Sequence, residues 1–160
     1  MLRSSRQKYI AVAAAVLSLA CAIPSLAHHG FTGAYNAKRP IYMEGTVESV
    51  TVAYPHVEMT IQVKGTASVP NELPDIAKLG IADVMKLLTV AEPGSYELQI
   101  AGLQQELEGR IAKGDAIALV ALQNCLPPKQ YRSRWLRVAS GEVVSLGGRT
   151  QTEVNGCENT

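Results

Sequence analysis

The sequence predicts a mainly β protein, a small antiparallel barrel of five to six strands with an OB-like arrangement. Two observations support this fold class. Short segments rich in Val, Ile and Thr recur along the chain between Gly- and Pro-containing turns. A short helix is predicted after the third strand, which favours the barrel over a β-sandwich, the alternative. The 160 residues leave room for one such domain.

The first three strands are predicted at residues 41–52, 56–63 and 95–101. In the first, the apolar phase changes between Val47 and Val50, which predicts a bulge or bend near Gly45 or Ser49. The second strand alternates, with one face apolar and the other polar. Its polar face consists of His56, Glu58, Thr60 and Gln62.

Strands four to six are predicted at residues 116–122, 131–139 and 142–146. The fourth is apolar without interruption, which indicates burial on both faces. A short helix over 102–111 precedes it, with apolar residues at four-residue spacing, namely Leu103, Leu107 and Ile111.

Residues 67–94 are predicted to be a helical insertion packed on the sheet, with the helix at about 74–90. Asp75 is the expected N-cap, and Gly80 weakens the middle. The apolar residues have roughly helical spacing, which is more typical of core than of a cofactor site. They are Ile76, Leu79, Ile81, Val84, Leu87 and Leu88.

Residues 1–27 have the organisation of a secretory signal peptide. A basic start precedes the apolar run 9–23, and Ser25-Leu26-Ala27 places small residues at the −3 and −1 positions. About 15 apolar residues are fewer than the roughly 20 that a transmembrane helix needs. We therefore expect cleavage near Ala27, no membrane anchor afterwards, and a periplasmic or secreted protein. A lipoprotein anchored through Cys21 is the less favoured alternative.

The expected mature chain consists of a barrel domain (28–146) and a polar tail (147–160). Residues 28–160 contain 12 Lys and Arg against 14 Asp and Glu, a formal net charge of −2. Nucleic-acid-binding proteins usually have a basic excess, so nucleic acid is not expected as a partner. The two remaining cysteines, Cys125 and Cys157, are expected to form a disulfide in an oxidising compartment, worth on the order of 3 kcal/mol.

The histidines form the candidate metal site. The three in the chain are His28, His29 and His56. After cleavage, the free amine and the ring of His28 can chelate one ion, and His56 can supply another imidazole. His29 offers a rival geometry, through its own amide and ring. Nitrogen donors favour copper, with zinc or nickel next, and Glu58 is a fourth ligand or a partner of His56. In the alternative without metal, His28 and His29 belong to an exposed polar arm and His56 is a turn residue.

Several short motifs occur in an order that resembles an uncharacterised family of small exported bacterial proteins, a domain of unknown function. The motifs are Ala27-His28-His29-Gly30-Phe31, Gly45-Thr46-Val47, Pro55-His56-Val57 and Lys113-Gly114-Asp115. The resemblance implies a compact, exported β-barrel and brings no established activity. This chain departs from the family pattern at Gly30, Tyr54 and Glu58.

The sequence thus predicts an exported binding protein of unknown precise role, with copper bound at the histidine site. A non-metal barrel that binds an envelope protein or a small ligand is the alternative. The residues favour binding over catalysis, although an oxidative copper enzyme is compatible with the ligand set. Arg132, Arg134 and Arg137, with Trp135 and Tyr131, are interpreted as a solvated strand face rather than an anion or oligosaccharide surface.

Overall fold

A closed ring of five strands forms the centre of the molecule. The computed structural model describes residues 33–157. In chain order its strands are β1 (Tyr35–Asn36), β2 (Ile41–Val52), β3 (His56–Val63), β4 (Thr89–Val90), β5 (Gly94–Ala101), β6 (Ala116–Gln123), β7 (Tyr131–Arg137), β8 (Val143–Ser145) and β9 (Glu153–Val154). The helical elements are a 3₁₀-helix (Ile76–Leu79), α1 (Val84–Leu87) and α2 (Gln104–Leu107).

The ring runs β2–β3–β5–β7–β6 and returns to β2. Four of its pairings are antiparallel, and β5 pairs with β7 in parallel. A closed ring with an odd number of strands cannot be antiparallel at every junction, so one parallel pair is the minimum. The predicted OB-like barrel is confirmed, as a mixed barrel with that single parallel pair.

The predicted bulge in the first long strand is confirmed on the Ser49 side. The β2–β3 register shifts between Val47 and Ser49, so Glu48 is the extra residue. The shift explains the phase change in the sequence, because Val47 and Val50 both face the interior of the barrel. Gly45 is also required, since a Cβ there would lie 2.7 Å from the carbonyl oxygen of Gln62.

The interior of the barrel is closed at one end by the segment around α2. Leu103, Leu107 and Ile111 are all buried in the inner core, as their spacing predicts. The helix itself is only one turn, shorter than the predicted 102–111. Gly102 and Gly109 adopt left-handed conformations at its two sides, which a longer helix does not accommodate.

The insertion 67–94 packs on the sheet, as predicted, and the strands that it covers are β6 and β7. The predicted continuous helix over about 74–90 is wrong, because the segment forms only the 3₁₀-helix and α1. Gly80 ends the 3₁₀-helix with φ of 68°, and Asp83 precedes α1 with φ of 51°. Asp75 occupies the N-cap position of the 3₁₀-helix, as predicted, but it has positive φ and its side chain makes no capping hydrogen bond. The insertion forms a second core, which we call the outer core, with residues of the N-terminal arm and of the sheet. Its main members are Leu73, Ile76, Leu79, Ile81 and Val84 against Tyr35, Tyr42, Ala118, Val120, Leu122 and Trp135.

Strand β6 is buried on both faces, which confirms the interpretation of its unbroken apolar run. Ile117, Leu119 and Ala121 face the inner core, while the alternate residues face the insertion. None of the helices in the part of the chain that the structure describes is long and apolar enough to cross a membrane.

The last two predicted strands are shorter than expected, and part of the polar tail forms a strand. β7 ends at Arg137 and β8 spans Val143–Ser145. Within the tail, β9 pairs in parallel with β1 of the N-terminal arm.

Candidate functional site

His56 and Glu58 lie together at one end of β3, as the alternation predicts. His56 pairs with Ala101 of β5, and its side chain is 8% exposed. Its Nε2 atom lies 3.5 Å from Oε1 of Glu58, whose side chain is 65% exposed. An imidazole and a carboxylate therefore meet at the rim of the barrel.

The predicted partners of His56 are not described. His28 and His29 lie outside residues 33–157, as do the expected cleavage site and Cys21. Among the described residues, no group of three or more His, Cys, Asp or Glu side chains could hold a metal ion.

The turn before His56 presents an exposed aromatic ring. Tyr54 is 94% exposed, although large hydrophobic side chains are usually at least partly covered. The adjacent Pro55 carbonyl accepts a hydrogen bond from Nε2 of Gln104, in α2. This bond ties the β2–β3 turn to the segment that closes the barrel.

A second candidate site lies on the outer surface of β2, β3 and β5, which we call the polar face. The strand registers align its side chains in two rows, Thr51–Glu58–Gln99 and Ser49–Thr60–Glu97. Because side chains alternate along a strand, the residues between them point into the inner core. The face thus follows directly from the alternation of β3.

The polar face contains a depression of about 330 Å³. Ser, Thr, Gln and Glu side chains supply most of its lining, and Gln130, from the loop between β6 and β7, closes one side. The full lining is Ser49, Thr51, Glu58, Met59, Thr60, Glu97, Leu98, Gln99 and Gln130. Lysine and arginine do not occur among these lining residues.

Glu48 adds a further carboxylate beside the depression. As the bulged residue of β2 it is exposed, and its Oε2 accepts a hydrogen bond from the Ser95 hydroxyl at 3.0 Å. Ser95 belongs to β5, so the Glu48 side chain reaches across β3. The bulge therefore brings a third acidic strand residue, after Glu58 and Glu97, onto the face.

Arg132 and Arg134 of β7 are buried, so the three arginines form neither the predicted solvated face nor an anion surface. The side chain of Arg134 is 4% exposed and that of its partner Glu153 is 0% exposed, with Nη2 and Oε1 2.6 Å apart. Arg132 is also buried, and it donates to the hydroxyls of Thr150 and Thr152. Burial, reinforced by the charge of Arg134, lowers the pKa of Arg132.

A register shift explains the error. Val120 pairs with Trp135 but Ala121 pairs with Ser133, so Arg134 is an extra residue in β7. Arg132, Arg134 and Trp135 thereby all reach the outer core, where the insertion and the tail cover them. Trp135 is fully buried and donates from Nε1 to the Pro74 carbonyl at 2.7 Å.

Arg137 is the one arginine of this strand segment that reaches the surface. Its Nη2 lies 3.2 Å from Glu44 and 3.3 Å from the Tyr42 hydroxyl, which itself donates to Glu44. Burial raises the pKa of Tyr42, and the hydrogen bond to Glu44 raises it further. The trio is internally satisfied, which is typical of a structural cluster rather than a reactive one.

The predicted disulfide is confirmed. Cys125 and Cys157 are bonded, with their Cα atoms 5.3 Å apart. The bond attaches the tail to the loop that follows β6, as expected from the pairing of the two cysteines.

Sequence reasoning predicted a histidine site but did not single out the polar face. The signal was present in the alternation of β3, which identified Glu58 and Thr60 as outward-facing. What it lacked was the neighbouring strand: Glu97 and Gln99 join the face only through the β3–β5 register.

One family is similar to the first part of the chain. A model of a family of unknown function (DUF6152) matches residues 15–72. The match spans the segment 27–31, strand β2 and Pro55-His56-Val57. No curated protein and no solved structure matches the chain. The resemblance predicted from the motifs is thus supported over these residues as similarity to an uncharacterised family.

Proposed function

We propose that this chain is a small exported binding protein whose ligand occupies the polar face. One observation supports this most directly. The outer surface of β6 and β7 is covered by the insertion and the tail, whereas the outer surface of β3, β5 and the second half of β2 is open and contains the depression. Export rests on the signal-like residues 1–27.

The position of the polar face agrees with how OB-like barrels bind ligands. Such barrels use the outer surface of their second and third strands together with the loops beside it. In this chain those strands are β3 and β5, and Gln130 comes from one of those loops. The carboxylates and the lack of basic lining residues disfavour an oligonucleotide, because phosphates need cationic partners.

The proposal is tested by mapping ligand contacts. The ¹⁵N-labelled protein, with the N-terminus it has in the cell, is titrated with hexalysine, hexaglutamate and a neutral hexasaccharide. We expect at least one probe to shift the amide resonances of Thr51, Thr60 and Gln99. Shifts confined to the covered side of the barrel, or none with any probe, would contradict the proposal.

Copper binding is the second candidate, favoured by the contact between His56 and Glu58. That contact offers a nitrogen and an oxygen donor 3.5 Å apart at the barrel rim. The proposed site adds the amine and ring of His28, with His29 as the rival, and the nitrogen donors favour Cu(II).

The copper proposal depends on the free amine of His28. Intact-mass measurement of the exported protein first establishes whether His28 is its first residue. Cu(II) titration then compares this protein with a variant extended by one N-terminal glycine and with His56→Ala. We expect the extension to weaken binding at least tenfold, because it moves the amine away from the His28 ring. Equal, weak binding by all three proteins would exclude the site.

A further inference from the structure

We propose that the ligand of the polar face is an extended, basic peptide segment of a partner protein. This inference rests on the proposed function, because it names the occupant of the same surface. Three features of the face support it: unpaired charge, the spacing of its carboxylates, and the polar groups between them.

The acidic residues of the polar face lack a lysine or arginine partner in the described part of the chain. Five acidic side chains elsewhere on the described chain lie within 4.0 Å of a lysine or arginine, namely Asp75, Asp83, Glu44, Glu142 and Glu153, whereas others, such as Glu72, do not. Glu48, Glu58 and Glu97 have no such cationic neighbour among residues 33–157. Glu58 contacts only the imidazole of His56 in this way.

A cationic ligand matches this charge better than a neutral or an acidic one. Any ligand that covers the face removes water from the carboxylates, and this desolvation is costly unless opposite charges replace the water. A neutral glycan supplies hydroxyl donors but no charge, and a polyphosphate adds repulsion. Lysine or arginine side chains supply both donors and charge.

The spacing of the carboxylates fits an extended chain. Glu58 pairs with Gln99 and Glu97 pairs with Thr60, so the two glutamates are diagonal neighbours across β3 and β5. Diagonal neighbours are roughly 7–8 Å apart. Alternate side chains of an extended peptide repeat at about 6.6 Å. Basic residues at positions i and i+2 of a peptide can therefore reach both carboxylates.

The remaining groups of the face suit a peptide backbone. Thr51, Thr60, Gln99 and Gln130 line the depression with hydroxyls and amides, which both donate and accept hydrogen bonds. Tyr54 lies in the turn beside this end of the sheet, where its ring is available to stack on an arginine or lysine.

The test uses a defined peptide with lysines at alternate positions, Lys-Thr-Lys-Thr-Lys-Thr, and its counterpart with glutamine for lysine. Binding to the mature protein is followed by amide shifts at low and at moderate salt. We expect only the lysine peptide to bind, with affinity falling as salt rises. Glu58→Gln and Glu97→Gln should each weaken binding about two- to fivefold.

Glu72→Gln is the matched control, because it removes the same charge from an exposed residue of the insertion. If the control weakens binding as much as Glu97→Gln, the attraction comes from net charge and the inference is wrong. If the glutamine peptide or a neutral hexasaccharide binds the face more tightly, the inference fails while the proposed function stands. If no probe shifts the face, both fail.

Discussion

At the scale of single residues, the most consequential cluster is the buried one of Arg132, Arg134 and Glu153. Arg134 donates to the carbonyls of Leu79 and Leu146 as well as pairing with Glu153. It thus joins the insertion, β7 and the tail at one point. Two buried guanidiniums lie near one buried carboxylate. Loss of the Glu153 charge is therefore expected to lower the stability of the fold.

We predict that Glu153→Gln lowers the free energy of unfolding by about 3 kcal/mol, because breaking a buried ion pair leaves an uncompensated charge. Urea unfolding followed by the fluorescence of Trp135 measures it. Glu142→Gln is the control: it removes an exposed partner of Arg110 and should cost less than about 1 kcal/mol. Equal losses for the two variants would contradict the structural role of Glu153.

The face of the sheet on which a side chain lies could be predicted only where the strand is regular. The alternation of β3 placed His56 beside Glu58 correctly, and their contact confirms it. The same reasoning failed for β7, because the extra residue Arg134 shifts the phase. The bulge in β2 was visible in the sequence, since apolar residues on both sides record the shift. In β7 the residues around the shift are arginines. Because arginine is usually exposed, the sequence gives no sign that these side chains are buried.

At the scale of elements, the insertion shows that an apolar pattern predicts burial more securely than it predicts helix continuity. The predicted apolar residues pack on the sheet, as expected, and the structure shows that the strands they cover are β6 and β7. The helix is interrupted because Gly80 and Asp83 adopt left-handed conformations. Each single turn is too short to be stable alone, so tertiary packing has to stabilise it.

Leu79→Ala is therefore predicted to destabilise the protein by about 2–4 kcal/mol, the usual cost of a buried Leu truncation. Leu79 is 3% exposed and belongs to the same outer core as Trp135. We also expect the Trp135 emission to shift to longer wavelength, as water reaches the ring. Lys86→Ala, at an exposed position of α1, serves as control and should change neither quantity appreciably. A loss in the control comparable to that in Leu79→Ala would contradict the packing argument.

At the scale of the whole molecule, strand number and the helix after the third strand were enough to predict the barrel. The sequence contains no local signal for which strands pair in parallel, because pairing between β5 and β7 depends on ring closure. The sequence predicted the disulfide of the tail, but it contained no signal for the pairing of the tail with the N-terminal arm. The residues of the tail are mostly polar, yet β9 pairs with β1 and Glu153 is buried. Only contacts distant in sequence make this segment part of the fold.

The disulfide determines how firmly that tail is held, and this yields the prediction for the molecule as a whole. Cys125 and Cys157 are 32 residues apart, and closing such a loop restricts the unfolded chain by about 3 kcal/mol. Cys157 is also four residues from Glu153, so the bond keeps the buried carboxylate near Arg134. We predict that Cys157→Ser lowers the unfolding free energy by about 3 kcal/mol. Reductant should bring the wild type to the same urea midpoint and leave the variant unchanged. If reductant does not move the wild-type midpoint while the variant is destabilised, the loss comes from the substitution and not from the missing bond.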